Sequence, residues 1–382
     1  MNYLSKIKTL YFLSAIIFIS LFAGGCGFVS SALENVSSIV GLDENGTVIA
    51  QRAQIRSSYA VVAADLLEVQ RGDKLRILEE TDFEKVKWYR VRANDEEETE
   101  GWIEAQNVIL GEILEKSKTL AEEFKDSQTQ ANGQLRAASN LRLTPEQTDD
   151  NVLLKLDAAS TFEIINWKYV PKAQTNADTG TNSALNPEPV PAKDNNDPEK
   201  LLDKYDVWYF VKLDRSVSPA PAGWLFGRQV ELQVPSDIIF YQQNDRKFVT
   251  WQRIDEVAED NLPTKPTDAV QVSRPGSWVI LWRTDEVRAI DGVEPDFDGI
   301  LILGYDKFNQ EHYSVYRNGN VWGRLPMTMQ GSGDNKTFTL KLKNHTNGQI
   351  EDKNFVLSKS GNRIRVSAPP DMANYEKKDS KK

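Results

Sequence analysis

The stretch WYRV at residues 88–91, followed by GWI at 101–103, is the strongest indication of the fold because it occurs twice. The second copy reads WYFV at 208–211, followed by GWL at 223–225. The interval between the two tryptophans is 14 residues in the first copy and 16 in the second. Around both copies apolar and polar residues alternate over short runs, which is the pattern of half-buried β-strands. The sequence therefore predicts two copies of one small β unit.

Further matches extend the repeat towards the N-terminus of each copy. The segments LEV at 67–69 and LRIL at 75–78 correspond to LKL at 154–156 and FEII at 162–165. An apolar residue followed by arginine precedes both sets, and Gly-Asp at 72–73 supplies a turn in the first copy. The order of these segments resembles that of bacterial Src-homology-3 domains, which are small five-stranded barrels found in envelope proteins and cell-wall enzymes.

The resemblance covers residues 47–110 and, less closely, 136–235. The second copy contains an insertion, residues 171–205, which is rich in Asn, Pro, Asp and Ala. We expect the insertion to be disordered, because it has too few apolar residues to offset the entropy of ordering.

The N-terminus has the features of an export signal. Two lysines precede an uncharged run at 10–23, whose 14 residues are fewer than the ~20 that a membrane-spanning helix needs. Small residues then lead to Cys26, the one cysteine of the chain. Residues 1–25 resemble a bacterial lipoprotein signal, and the resemblance implies cleavage before Cys26 and acylation of its thiol. A secretory signal without lipid, or an uncleaved anchor, is the alternative.

These features predict an exported, membrane-anchored lipoprotein, on the outer membrane if the source has one and otherwise on the cell surface. Residues 26–46 are expected to tether the first barrel to the membrane. Apolar residues at helical spacing predict a linker helix within 111–135 that packs on a barrel.

The remaining sequence predicts a third domain. Residues 236–370 contain nine short candidate strands, beginning at 238–242, and predict an antiparallel barrel or sandwich of unassigned family. Asn318-Gly319 is predicted to close a hairpin between two of these strands. Residues 371–382 are a charged tail. The predicted fold class is therefore all-β, with two small barrels joined by a helix and a C-terminal antiparallel domain.

Aromatic residues of the two copies, with one arginine, are the candidates for ligand binding. They are Trp88, Tyr89, Arg90, Trp102, Trp208, Tyr209 and Trp224. Aromatic faces stack on sugar rings and peptide planes, and the family resemblance implies peptidoglycan or its stem peptides as the ligand. For Trp102 and Trp224 a position in the barrel core is the alternative.

The acidic stretch DGVEPDFDG at 291–299 suggests a second kind of site. Asp291, Asp296 and Asp298 offer carboxylate oxygens in a loop, which are ligands that Ca²⁺ prefers. A solvated turn between strands is the alternative interpretation. No cofactor other than calcium is expected.

The composition limits the functions that remain. A net charge of −10 argues against broad nucleic-acid binding, which requires a basic surface. The two histidines lie outside any HExxH motif, and the sequence has no GxSxG or phosphate-binding P-loop motif. Acylation would also remove Cys26 as a nucleophile. We therefore expect a non-catalytic envelope lipoprotein that binds peptidoglycan or a wall-associated protein through its barrels.

Two alternatives stay open. One is an envelope ligand carrier or assembly factor that acts through the C-terminal β-domain. The other is a cell-wall hydrolase whose site the sequence does not reveal.

Overall fold

The structure, a computed structural model, describes residues 44–172, 200–243, 245–255, 275–333, 335–361 and 363–377. The lipoprotein signal, Cys26 and residues 173–199 of the predicted insertion lie outside these ranges. Contacts divide the chain into two compact units, with the boundary between Ile113 and Leu114. The described residues are mostly β, in curled antiparallel sheets, which confirms the predicted fold class. No helix among them is long and apolar enough to cross a membrane.

The first unit contains seven antiparallel strands in one curled sheet, with the spatial order β3-β2-β6-β5-β4-β1-β7. The strands are β1 Glu44–Val48, β2 Arg52–Arg56, β3 Asp65–Gln70, β4 Lys74–Phe83, β5 Val86–Ala93, β6 Glu100–Glu104 and β7 Val108–Leu110, with a 3-10 helix at Ala105–Asn107 before β7. Strand β1 begins inside the predicted tether. Alternate residues of these strands face inward, so that Ile55, Ile77, Val91 and Ile103 are almost completely buried.

The second copy has the same architecture. Its strands follow the order β10-β9-β13-β12-β11-β8-β14, which repeats the first order position by position and confirms the predicted structural repeat. The strands are β8 Ala131–Leu135, β9 Ser139–Arg142, β10 Val152–Leu156, β11 Thr161–Pro171, β12 Tyr205–Lys212, β13 Ala222–Phe226 and β14 Val230–Leu232, with 3-10 helices at Asp149–Asn151 and Gly227–Gln229. Strand β8 lies within the segment that was expected to be linker.

Helix α1, Gly111–Glu123, lies between the two copies in sequence, as predicted. Its apolar side packs on the second barrel, where Leu120, Ala121 and the following Phe124 contact the cluster around Phe210. The hydroxyl of Ser117 is buried, donates to the carbonyl oxygen of Ala222 at 2.6 Å and accepts from the N–H of the same residue at 3.1 Å. The helix therefore belongs to the second unit from Leu114 onward. A short helix α2, Leu201–Lys204, precedes β12.

The C-terminal region forms two four-stranded antiparallel meanders. The first contains β15 Lys247–Arg253, β16 Trp278–Arg283, β17 Gly299–Asp306 and β18 Glu311–Asn318, and the second contains β19 Gly323–Ser332, β20 Asn335–Lys343, β21 Ile350–Ser360 and β22 Arg363–Ser367, with 3-10 helices at Ile239–Tyr241 and Met372–Asn374. The core contains Phe338 and Phe355, whose rings stack with centroids 4.7 Å apart.

Two local predictions for this region are wrong. Residues 239–241 form a 3-10 helix instead of a strand, and the Phe240 side chain is 78% exposed. Asn318-Gly319 does not close a hairpin, because β18 and β19 belong to different sheets. Gly319 lies close to Trp282: a Cβ atom there would lie 3.2 Å from its ring.

Candidate functional site

Strand alternation divides the predicted binding residues of the first barrel between two faces. Tyr89 belongs to the hydrophobic core with Val91, and burial raises the pKa of its phenol. Trp88 and Arg90 project from the opposite face of β5, where Trp88 is 6% exposed. Tyr89 and Trp88 therefore offer little surface to a ligand.

Arg90 lies at the surface among carboxylates. Its guanidinium is 3.7 Å from the Glu79 carboxylate and 3.1 Å from that of Glu100. Glu100 also pairs with Arg92 at 2.6 Å, and hydrogen bonds from Arg92 and then Arg90 lower the pKa of Glu100. These exposed pairs contribute little to stability, but they fix the direction of the Arg90 side chain.

Trp102 is part of an aromatic group that the sequence did not reveal. The ring of Tyr59 lies 5.0 Å from that of Trp102, edge to face, and 5.0 Å from that of Phe83. All three side chains are half-buried, so part of each ring is accessible. We call Tyr59, Phe83 and Trp102 the aromatic surface of the first barrel.

The loop that carries Tyr59 is held in place by Arg56. The guanidinium donates to the carbonyl oxygens of Val61 at 3.0 Å and Ala63 at 3.1 Å, and it pairs with Asp65 at 3.4 Å. The side chains of Val61 and Val62 extend into solvent and are 82% and 94% exposed. The loop therefore presents apolar groups beside the aromatic surface.

The equivalent position in the second barrel is covered. Register pairs Trp224 with Phe210, just as it pairs Trp102 with Arg90. Phe210 is fully buried, and the ring of Phe124 lies over it. Trp224 is half-buried at the edge of this cluster. Helix α1 thus occupies the face that holds surface aromatic residues in the first copy.

Trp208 and Tyr209 also differ in their surroundings. Trp208 is 1% exposed, and its ring lies 5.2 Å from that of Phe226. Tyr209 contacts Trp167 edge to face, with centroids 5.1 Å apart. Burial raises the pKa of Tyr209. Of the predicted residues in the second copy, Tyr209 is the one that lines an open cleft.

That cleft, with a volume of about 450 Å³, lies within the second unit between the second barrel and strands β15 and β16. Trp167, Tyr169 and Tyr209 line the barrel side, and Phe248 lines the other. Its charged lining residues include Lys247, Arg228 and Arg136. The sequence signal for Trp167 and Tyr169 is their alternation in β11, which places both on one face of the strand.

The acidic stretch at 291–299 is engaged with arginines. Glu294 pairs with Arg283, Asp296 with Arg324 at 3.2 Å, and Asp298 with Arg288 at 3.0 Å. The three carboxylates are at most 2% exposed, which rules out the solvated turn for them. Desolvation raises the pKa of Asp296 to about 6, against the opposing effect of Arg324. We call these six side chains the buried ionic cluster.

Asp291 lies apart from this cluster. It is exposed, has a positive φ of 54° and pairs with Lys343 at 3.3 Å. Among the described residues no group of three or more His, Cys, Asp or Glu side chains is placed to hold a metal ion. The calcium site stays a prediction, and its three proposed ligands are not brought together.

His312 has the surroundings of a structural residue. Its Nε2 atom lies 2.8 Å from the Gly276 carbonyl oxygen and 3.6 Å from the Asp237 carboxylate. The rings of Tyr241 and Tyr305 flank the imidazole. His345 lies in the turn after β20, where burial lowers its pKa.

No protein-family profile matches the chain, and a search of curated proteins also gives no match.

Proposed function

We propose that this protein is a non-catalytic binding protein of the bacterial cell envelope, anchored through acylated Cys26. Its ligand is peptidoglycan or a protein associated with the wall, bound by the first barrel. The proposal rests on the resemblance of the two repeats to bacterial Src-homology-3 domains and on the aromatic surface formed by Tyr59, Phe83 and Trp102.

The geometry of the aromatic surface supports this function. Three aromatic rings meet at the mouths of two hairpins, with centroid distances of 5.0 Å between neighbours. Such rings stack on sugars and peptide planes, and the nearby Arg90 and its carboxylate partners can satisfy polar groups of a ligand. Tyr59 and Phe83 therefore join Trp102 and Arg90 as the binding residues, and they replace Trp88 and Tyr89 as targets for mutation.

The second barrel differs from the first in that its equivalent face is not free for a ligand. That face is filled by helix α1, and Gln130, directly before strand β8, contacts the C-terminal sheets, because its carbonyl oxygen accepts from the hydroxyl of Thr250 at 2.6 Å. The Gln130 side chain accepts from the N–H of Met327 at 2.9 Å and donates to the carbonyl oxygen of that residue at 3.0 Å. The second barrel thus acts as a scaffold, and wall recognition falls to the first.

Co-sedimentation with purified peptidoglycan sacculi tests the proposal. A soluble chain starting after Cys26 is expected to pellet with sacculi, and the variant Y59A/W102A is expected to lose most of the pelleted fraction. Phe308→Ala is the matched control, because it removes a 90% exposed aromatic ring from the second unit. Circular dichroism verifies that each variant is folded.

Two results would count against wall binding. Equal pelleting of Y59A/W102A and the unchanged chain would remove the aromatic surface from the proposal. Absence of pelleting at physiological salt would leave a wall-associated protein as the ligand, which crosslinking in the intact envelope would then detect. Metabolic labelling with an alkyne palmitate, compared between the unchanged chain and Cys26→Ser, tests the anchor separately.

The alternative of a ligand carrier has one observation in its favour, the cleft lined by Trp167, Tyr169 and Tyr209. The sequence-based alternative placed the ligand in the C-terminal β-domain. In the structure, the second barrel forms one side of the cleft.

A further inference from the structure

The cleft of the second unit has the size of a small-molecule site. Its volume is about 450 Å³, within the range of roughly 300–1,000 Å³ that ligand pockets occupy. Strands β11 and β12 and helix α2 form one wall, and β15 with the end of β16 forms the other. The walls come from two domains of one compact unit, a common place for ligand sites.

The barrel wall is rigid and aromatic. Trp167 is 3% exposed and holds the ring of Tyr209 edge to face at 5.1 Å. The guanidinium of Arg283 lies 4.8 Å from the centre of the Tyr169 ring, and Arg283 is itself fixed by its buried pair with Glu294. These contacts fix the rings before any ligand arrives, so little side-chain entropy remains to be lost on binding.

The cleft brings four cationic side chains together, Arg136, Arg228, Lys247 and Arg283. Each of them has one carboxylate partner, in the same order Glu231, Asp206, Asp285 and Glu294. The anionic group of a ligand would therefore bind by sharing the N–H donors of these paired cations, and not through a net positive charge.

Three of these basic residues are accessible at the rim. The side chains of Arg136, Arg228 and Lys247 are 62%, 64% and 57% exposed. Arg228 is 3.6 Å from Asp206, and Lys247 is 2.7 Å from Asp285. Each cation has more N–H donors than its one carboxylate contact uses, so a bound anion can share it.

Tyr169 adds a polar group to this wall. Its side chain is half-buried and lines the cleft. A phenol hydroxyl both donates and accepts, so it can form a hydrogen bond with a polar group of a ligand.

We propose that this cleft binds a small amphipathic anion, with a flat or chain-like apolar body against the rings of Tyr169 and Tyr209 and its anionic group beside Arg228 and Lys247. The site is independent of the aromatic surface of the first barrel and does not rest on wall binding. The anionic group is a carboxylate or a phosphate, since both match the N–H donors of a guanidinium.

A pair of fluorescent dyes tests the charge and the apolar contact separately. 8-Anilinonaphthalene-1-sulfonate and N-phenyl-1-naphthylamine share the same ring system, but only the first has a sulfonate. Both are expected to bind the full soluble chain, the sulfonate at least fivefold more tightly. In the variant R228Q/K247Q the sulfonate dye is expected to lose that advantage, while the binding of the uncharged dye is unchanged.

A control and a competition complete the test. Lys341→Gln removes an exposed lysine from β20 and is expected to leave the affinities of both dyes unchanged. Dodecanoate and dodecyl phosphate are expected to displace the sulfonate dye, and the stronger competitor identifies the anionic group. The proposal is overturned if neither dye binds, if R228Q/K247Q and Lys341→Gln weaken the sulfonate dye equally, or if neither competitor displaces it.

Discussion

The ring of Phe124, directly after helix α1, lies 4.3 Å from the ring of Phe210 in strand β12, centroid to centroid. Phe210 occupies the position that Arg90 holds in the first barrel, since each pairs with the tryptophan of its Gly-Trp segment. One sheet position is therefore charged and exposed in one copy, but apolar and buried in the other. The same fold thus packs against a helix in the second copy and leaves this position exposed in the first.

Removing the Phe124 ring is expected to loosen helix α1 from the second barrel. Burial of a phenylalanine contributes ~3–5 kcal/mol relative to alanine in a core, and a half-buried ring about half of that. Phe124→Ala should therefore lower the free energy of unfolding by about 2 kcal/mol in urea titrations. Glu123→Ala, an exposed neighbour, is the control. An unchanged midpoint for Phe124→Ala would mean that the helix does not depend on this contact.

In the buried ionic cluster, the stability effects of substituting Arg283 and Glu294 are expected not to add. Glu294→Gln leaves Arg283 short of its buried counter-charge, which typically costs about 3–5 kcal/mol of stability. The double variant R283M/E294L removes both charges and is expected to be more stable than Glu294→Gln. Thermal unfolding of the two variants decides this. If the double variant is the less stable of the two, removing both charges costs more stability than leaving Arg283 without its counter-charge, and the expectation is wrong.

Asp296 predicts a pH dependence whose sign is set by its pKa. Desolvation raises that pKa to about 6, above the ordinary 3.8, so the folded state binds this proton more tightly than the unfolded state. The contribution of Asp296 to stability is therefore greatest below pH 3.8 and is lost as the pH rises through 6. Relative to Asp296→Asn, the unchanged protein should gain about 2 kcal/mol between pH 7 and pH 4.

Measuring both proteins at each pH isolates this residue, because other carboxylates act in the opposite direction. The pKa of Glu351, for example, is lowered to about 2, mainly by a hydrogen bond from Tyr375. If the stability difference between the unchanged protein and Asp296→Asn stays constant from pH 7 to pH 4, the pKa of Asp296 is not raised.

Gly101 and Gly223 occupy equivalent positions in the two repeats, and alanine at either position is expected to clash with a neighbouring strand, more severely at Gly101. A Cβ atom at Gly101 would lie 2.6 Å from the carbonyl oxygen of Arg56, and one at Gly223 would lie 3.0 Å from that of Arg142. A backbone oxygen in a paired strand cannot move easily, so Gly101→Ala should destabilise its barrel by more than Gly223→Ala. Hydrogen exchange of the two barrels in each variant measures this. The prediction would be contradicted if the first barrel lost no more protection in Gly101→Ala than the second barrel loses in Gly223→Ala.

Much of the fold could be predicted because its signals are local. The Trp-Tyr and Gly-Trp segments recur with nearly equal spacing, and strand alternation is visible within a few residues. The linker helix predicted within 111–135 is found at Gly111–Glu123 for the same reason. The prediction for 238–242 was wrong because a run of four apolar residues followed by Gln242 fits a short strand and a single helical turn equally well.

The candidate site was less predictable, because it depends on contacts between distant segments. Tyr59 and Phe83 lie in different hairpins and become neighbours of Trp102 only when the sheet curls. Trp88 and Tyr89 had the right residue types, but their burial is fixed by the pleat and the core around it. The acidic stretch suggested calcium, since the sequence could not show that Arg324 and Arg288 face its carboxylates.

The all-β class, the tandem repeat and the helix between its copies follow from local patterns, because periodicity and composition act over short distances along the chain. Contacts between distant segments set which aromatic residues are core and which are surface, which repeat keeps its face open, and which charges are neutralised inside. Those outcomes depend on side chains far apart in sequence, such as Arg283 and Tyr169, which pack together only once the second barrel and the C-terminal sheets fold as one unit.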